Sequence, residues 1–99
     1  MPENPLKNLA ALDPAMMKKM GEDDGFVFSD GALPKKVKYL IALAFDASHG
    51  AAGGVGALAR QAMAAGATRE EIAETLRVVY HLSGVGGLYT ASFGLEGLV

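Results

Sequence analysis

Ala64-Ala-Gly-Ala-Thr-Arg-Glu-Glu-Ile72 is the stretch that decides how this chain folds. Thr68 carries a hydroxyl that can accept from the free amides of a new helix, and Glu71 can reach back to the cap residue's own N–H. Gly66 is the residue type that ends a helix in a left-handed turn. One helix therefore stops near Ala65 and the next starts at Arg69, with room between them only for a tight reversal. The earlier helix, about Gly53 to Ala65, turns Val55, Leu58, Ala62 and Met63 inward. The later one, about Arg69 to Leu82, carries Ile72, Leu76 and Val79 as its stripe.

The same signals recur on either side. Asn4-Pro5 reads as a cap and first turn of a short helix through about Ala11, and Asp13-Pro14 repeats the pattern for a second helix through about Val27. Met16, Met17, Met20 and Phe26 continue its face, the three methionines as core or interface filler. Ser29-Asp-Gly-Ala is a turn, and Pro34 opens a third helix with Val37, Leu40, Ile41, Ala44 and Phe45 at three- and four-residue spacing. Lys35, Lys36 and Lys38 near its start oppose the helix dipole, a local cost with no sequence-level reason. Gly84-Val-Gly-Gly87 interrupts the pattern before a last helix, about Leu88 to Leu98. No segment alternates with period two. The reading is all-α: a compact bundle of five to six helices in a single domain over residues 1–99.

Half the residues are hydrophobic, but many are alanine and 13 are glycine, so an isolated protomer would have a thin core. That favours a homo-oligomer. A net charge of −2, with lysines offset by Glu22, Asp23, Asp24 and Asp30, gives no basic face for nucleic acid. Without a single cysteine the chain forms no disulfide, carries no thiol chemistry and offers no thiolate to zinc. The N-terminus lacks the pattern of a signal peptide and no apolar run reaches membrane-spanning length. The expectation is a cytoplasmic protein without membrane contact.

Lys38-Tyr-Leu-Ile-Ala-Leu-Ala44, Gly50-Ala-Ala-Gly-Gly-Val-Gly56, Ala64 to Ile72 and Gly84-Val-Gly-Gly-Leu-Tyr-Thr-Ala91 together resemble the carboxymuconolactone decarboxylase family, part of the alkyl-hydroperoxidase-D-like superfamily. The resemblance runs from about Asn4 to Glu96. It implies an alkyl-hydroperoxidase-D-like fold and assembly into trimers or hexamers; no cofactor is expected. Its redox members carry Cys-x-x-Cys followed by a histidine, with a glutamate one helix earlier. Those positions fall at Ala51, Gly54, Leu58 and Tyr39, and all four differ. Peroxidase activity is therefore not expected. Non-redox decarboxylase members also lack the cysteines; Leu58 departs from their histidine, while Arg60 matches a basic position often found there.

The small residues Ala51, Gly53 and Gly54 leave space at a helix start whose unpaired N–H groups suit a carboxylate or phosphate. They serve equally well for close helix packing, and no Gly-Lys-Ser/Thr ending marks a nucleotide loop. His49 follows Asp46 by three residues, a spacing at which a carboxylate can orient an imidazole as a general base. Tyr39 precedes Asp46 by seven residues, two helical turns. The alternative is that His49 only caps the third helix. Tyr80 and His81, late in the fifth helix, are further candidates beside a structural reading. No histidine spacing suggests a metal site. The expected function is non-redox: a small carboxylate-bearing ligand held at Gly53, Gly54, Arg60 and Tyr80, with His49, Asp46, Tyr39 and His81 supplying lyase or isomerase proton transfer. The alternative is a non-catalytic oligomeric binding or scaffold protein that keeps the fold.

Overall fold

In the computed structural model, which describes residues 6–99, both halves of the capping box form. The Glu71 N–H donates to the Thr68 hydroxyl at 3.1 Å, and the Thr68 N–H donates to the Glu71 carboxylate at 2.8 Å. Gly66 ahead of it has φ 103°, the left-handed turn the sequence called for. Six helices and no strand occur among the described residues: α1 (Lys7–Leu12), α2 (Pro14–Val27), α3 (Lys35–Ser48), α4 (Ala52–Ala64), α5 (Arg69–Ser83) and α6 (Val85–Gly94). The fold class is therefore all-α. The Asn4-Pro5 start signal lies outside the described residues. Asp13 caps α2 by accepting from the Met16 N–H at 3.0 Å, and Pro34 is the cap of α3 rather than its first helical residue.

Helices α3 to α6 pack on one another, while α1 packs chiefly on α2. The core is Leu43, Ala47, Val55, Ala59, Ile72, Val79, Ala91 and Leu95, with Leu40, Leu58, Met63 and Leu76 packed against it. Among the described residues, only Leu43 and Val55 of the larger side chains are fully buried. The stripe expected on α3 is thus displaced: Leu43 and Ala47 face inward, while Ile41 and Phe45 are exposed. This helix is apolar on more than one side, and periodicity alone does not say which side the protomer covers. No residue of α2 is fully buried: Met17 and Met20 are half-buried, and Met16 and Phe26 are exposed, so neither of the latter is a core residue.

The last helix begins three residues earlier than its glycines suggested. Only Gly84, at φ 85°, breaks the chain; Gly86 and Gly87 are helical. Gly87 is buried where a Cβ would stand 2.6 Å from a Val79 methyl, so it lets α6 lie against α5. Leu95 and Leu98 fall beyond the helix, in the turn that follows it.

Two of the α3 lysines acquire a reason. The Lys38 ammonium donates to the carbonyls of Val27 and Ser29, at 2.9 and 2.7 Å, and so closes the C-terminal end of α2. Lys36 pairs with Glu71 at 3.0 Å and ties α3 to the start of α5. The Thr68 N–H first, then Lys36, hold the Glu71 carboxyl below the usual glutamate range. A carboxyl lowered on folding contributes stability that is full above its unfolded value and lost as pH falls through the folded one. Stability followed by circular dichroism should fall with acidification through and below the ordinary glutamate range, and Glu71→Gln should flatten that part of the profile. Removing the cap oxygen by Thr68→Ala is expected to cost about 1 kcal/mol in urea unfolding.

Candidate functional site

Tyr39 and Asp46, two turns apart on α3, line one cleft of about 560 Å³. Gly54, Ala57, Leu58 and Gln61 form its α4 wall, and Lys35 stands at its α3 end. Leu6, Asp24, Gly25, Phe28 and Ser29, from the N-terminal helices and the turn after them, close the remaining side. The Phe28 ring stacks on Tyr39 with centroids 4.6 Å apart, fixing the tyrosine plane. Both Tyr39 and Asp46 are half-buried, which leaves their polar ends within reach of a ligand.

The Asp46 carboxylate lies directly over Gly54, where any Cβ would collide with it. Gly54 sits in the first turn of α4, so the chain's own carboxylate occupies the positive end of that helix. Helix α3 ends just below: the His49 N–H donates to the Phe45 and Asp46 carbonyls, and the Ala51 N–H donates to Asp46 at 2.9 Å. Gly50 turns the chain at φ 78°, and α4 then starts beside the last turns of α3.

The structure brings together three of the residues singled out from the sequence, Tyr39, Asp46 and Gly54. His49 is exposed, and its ring lies by Phe45 with centroids 6.3 Å apart, outside the cleft. Residues four apart on a helix differ in direction by about 40°, those three apart by about 60°, so His49 follows Phe45 more closely than Asp46. Gly53 is exposed and does not line the cleft. Arg60 faces outward on the Gly56 side of α4, and Tyr80 and His81 are exposed on α5. The polar residues that sequence reasoning missed are Lys35, Gln61, Asp24 and Ser29. Lys35 precedes Tyr39 by one turn, and Gln61 follows Gly54 by two, so the helical spacing that linked Tyr39 to Asp46 also points to them. Asp24 comes from a distant segment and carries no such signal.

Three of the four positions aligned with the family's redox residues, Tyr39, Gly54 and Leu58, meet in this one cleft. The sequence profile of the carboxymuconolactone decarboxylase family matches residues 14–93. A crystal structure of an apo carboxymuconolactone decarboxylase family protein from Legionella pneumophila is similar, with a TM-score of 0.83 and 32% identity over 92% of this chain and 81% of that one. No curated protein matches the sequence. With the profile spanning most of the chain and the fold agreeing along its length, the chain belongs to the carboxymuconolactone decarboxylase family.

Proposed function

We propose that this protein is a non-redox family member that binds a small carboxylate-bearing metabolite in the Tyr39–Asp46 cleft and moves a proton on it. The observation that carries this reading is the convergence of Tyr39, Asp46 and Lys35 on the space where the aligned redox positions meet. The ligand's carboxylate pairs with Lys35, because the helix start at Gly54 is filled by Asp46. Asp46 takes a proton from the carbon next to a ligand carbonyl. The C–H electron pair becomes a C=C bond as the C=O π pair moves to the oxygen, which accepts a hydrogen bond from the Tyr39 hydroxyl. The proton then returns from Asp46 to the same or a neighbouring carbon as the carbonyl re-forms. His49, by Phe45 and outside the cleft, has no part in this step.

A second reading is binding without turnover in an oligomeric scaffold. It draws on the apolar share of the lining, Leu6, Phe28, Ala57 and Leu58. A panel of small oxo- and hydroxycarboxylates in D₂O, followed by proton NMR, separates the two. Line broadening with loss of a carbon-bound proton signal is expected for at least one member. Asp46→Asn should keep the broadening and abolish the exchange, and Lys35→Ala should weaken binding about tenfold or more. Gly54→Ala should displace the Asp46 carboxylate and stop exchange, while helix propensity offsets the lost fit by up to about 1 kcal/mol. Broadening without exchange would favour the scaffold, and no broadening across the panel would remove both readings of the cleft.

A further inference from the structure

Among the described residues, the charged side chains that line the Tyr39–Asp46 cleft are Lys35, Asp24 and Asp46, and they divide it by sign. The Phe28–Tyr39 stack marks its middle, and the Lys38 ammonium, bound to the Val27 and Ser29 carbonyls, folds α2 back beside α3 there. Lys35 comes one turn before Tyr39, on the side of the connecting turn. Asp24 comes one turn before Phe28 and Asp46 two turns after Tyr39, so both acids lie beyond the stack, away from that turn. Lys35 and Asp46 are three turns apart, about 16 Å along α3. Both Cα–Cβ bonds tilt toward the helix start, so the two side chains set out with that spacing. One end of the cleft is positive and the other negative. The protein neutralises neither. Among the described residues, the charged groups of Asp24, Lys35 and Asp46 make no ion pair or hydrogen bond, whereas the adjacent Asp23 and Lys36 are taken by Lys19 and Glu71.

Given the cleft as the ligand site, the reading on which this rests, we propose that its ligand is dipolar. A carboxylate pairs with Lys35 and an ammonium with Asp24, joined by a carbon chain that passes the Phe28–Tyr39 stack and Leu58. The charges decide between three kinds of acid. A monocarboxylate held at Lys35 would lay its apolar end over Asp24 and strip water from a carboxylate with nothing to pair it. A dicarboxylate would set its second negative charge against two acids. An ammonium at that end removes both penalties. Asp46 stays over Gly54 and keeps its part in proton transfer, while Asp24, exposed on α2, is the acid left to meet the ammonium. A cationic nitrogen near the reacting carbon also eases removal of the proton, because it stabilises the negative charge that develops there.

Probes of matched chain length separate these cases: ω-aminohexanoate, hexanoate, adipate and hexylamine, with the octyl series beside them because the Lys35 stem can extend or fold. Calorimetric titration at low ionic strength leaves contacts between exposed charges least screened. In the better-fitting series the amino acid should bind about tenfold or more tightly than each of the other probes. Asp24→Asn should bring it down to the level of the plain acid, and Asp24→Lys should make the diacid the tightest binder. Asp23→Asn, next to it but outside the cleft, should leave the order unchanged. The Asp24 side chain is exposed, so its variants should keep the parent's helical dichroism; if one does not, the parent's own preference still decides. Plain acid or diacid binding as tightly as the amino acid would overturn the proposal. So would the amine alone binding as tightly, or a preference unmoved by Asp24→Asn. Any of these, with proton exchange on the oxo acids intact, would remove the dipolar ligand and leave the cleft its function. No binding in either series would overturn it too, and exchange on the oxo acids would then say whether the reading of the cleft survives.

Discussion

Leu43→Ala is expected to destabilise the protein by about 2–5 kcal/mol, seen as a lower urea midpoint at unchanged slope. Leu43 is fully buried on α3, the helix that packs against α4, α5 and α6 at once. The cost of such a truncation depends on whether neighbours can move into the space. Here Ala47, Ala59 and Ala91 share the core with it, and alanine has no side chain to swing. The void should therefore persist. A domain of this size has a total stability near the low end of about 5–15 kcal/mol, so the variant should be largely unfolded at modest temperature. A loss below about 1 kcal/mol would mean that the core closes around the gap, and that the packing described for α3 is not what holds it.

Gly94→Ala should be nearly as damaging by the opposite route, costing about 1–3 kcal/mol through overpacking. A Cβ at Gly94 would press on the Ala52 carbonyl oxygen and stand 2.8 Å from the Val55 Cβ. The contact is reciprocal, because a Cβ at Gly56 would stand 2.6 Å from the Gly94 carbonyl oxygen. The two oxygens are backbone and the Val55 Cβ is fixed to it, so none gives way unless a whole helix shifts, and α4 and α6 would have to separate. Once they have separated for one alanine, the second costs less, and a double-mutant cycle of Gly56→Ala and Gly94→Ala should show a total smaller than the sum. Gly53→Ala is the control with the other sign. Nothing lies within 4 Å of its added methyl, so helix propensity alone should make that variant as stable as the parent or up to about 1 kcal/mol more so. Equal unfolding midpoints for the three single variants would contradict the close approach of α4 and α6.

These two cases show where the sequence could be read and where it could not. Thr68, Glu71, Gly66 and Asp13-Pro14 act through neighbours one turn away, and their positions in the fold follow from local chemistry. Gly84 and Gly87 are indistinguishable in sequence, yet one ends a helix at positive φ and the other lets two helices touch. Only tertiary packing separates those roles. The same limit moved the inward side of α3 from Ile41 and Phe45 to Leu43 and Ala47, since both sets have helical spacing. At the cleft, the seven-residue step from Tyr39 to Asp46 was legible because it is a property of one helix. His49, the C-cap of that helix, follows Phe45 four residues back more closely than Asp46 three back, so a spacing of three did not bring it to the cleft. Lys35 and Gln61 were within reach of the same spacing, whereas Asp24 depended on how a separate hairpin folds back.

The carboxylate lying over Gly54 also constrains the paths by which this protein could change. A sulfur at position 54 needs the volume that Asp46 now fills, so a cysteine arriving there first meets a negative oxygen at contact distance. That neighbour would disfavour the thiolate on which thiol reactivity depends. Substitution at 46 must therefore come first. The intermediate would then have lost its carboxylate before gaining a thiol, passing through a form with neither. The route between this chain and one with a thiol at position 54 is thus set by the order in which positions 46 and 54 change, not by a count of substitutions.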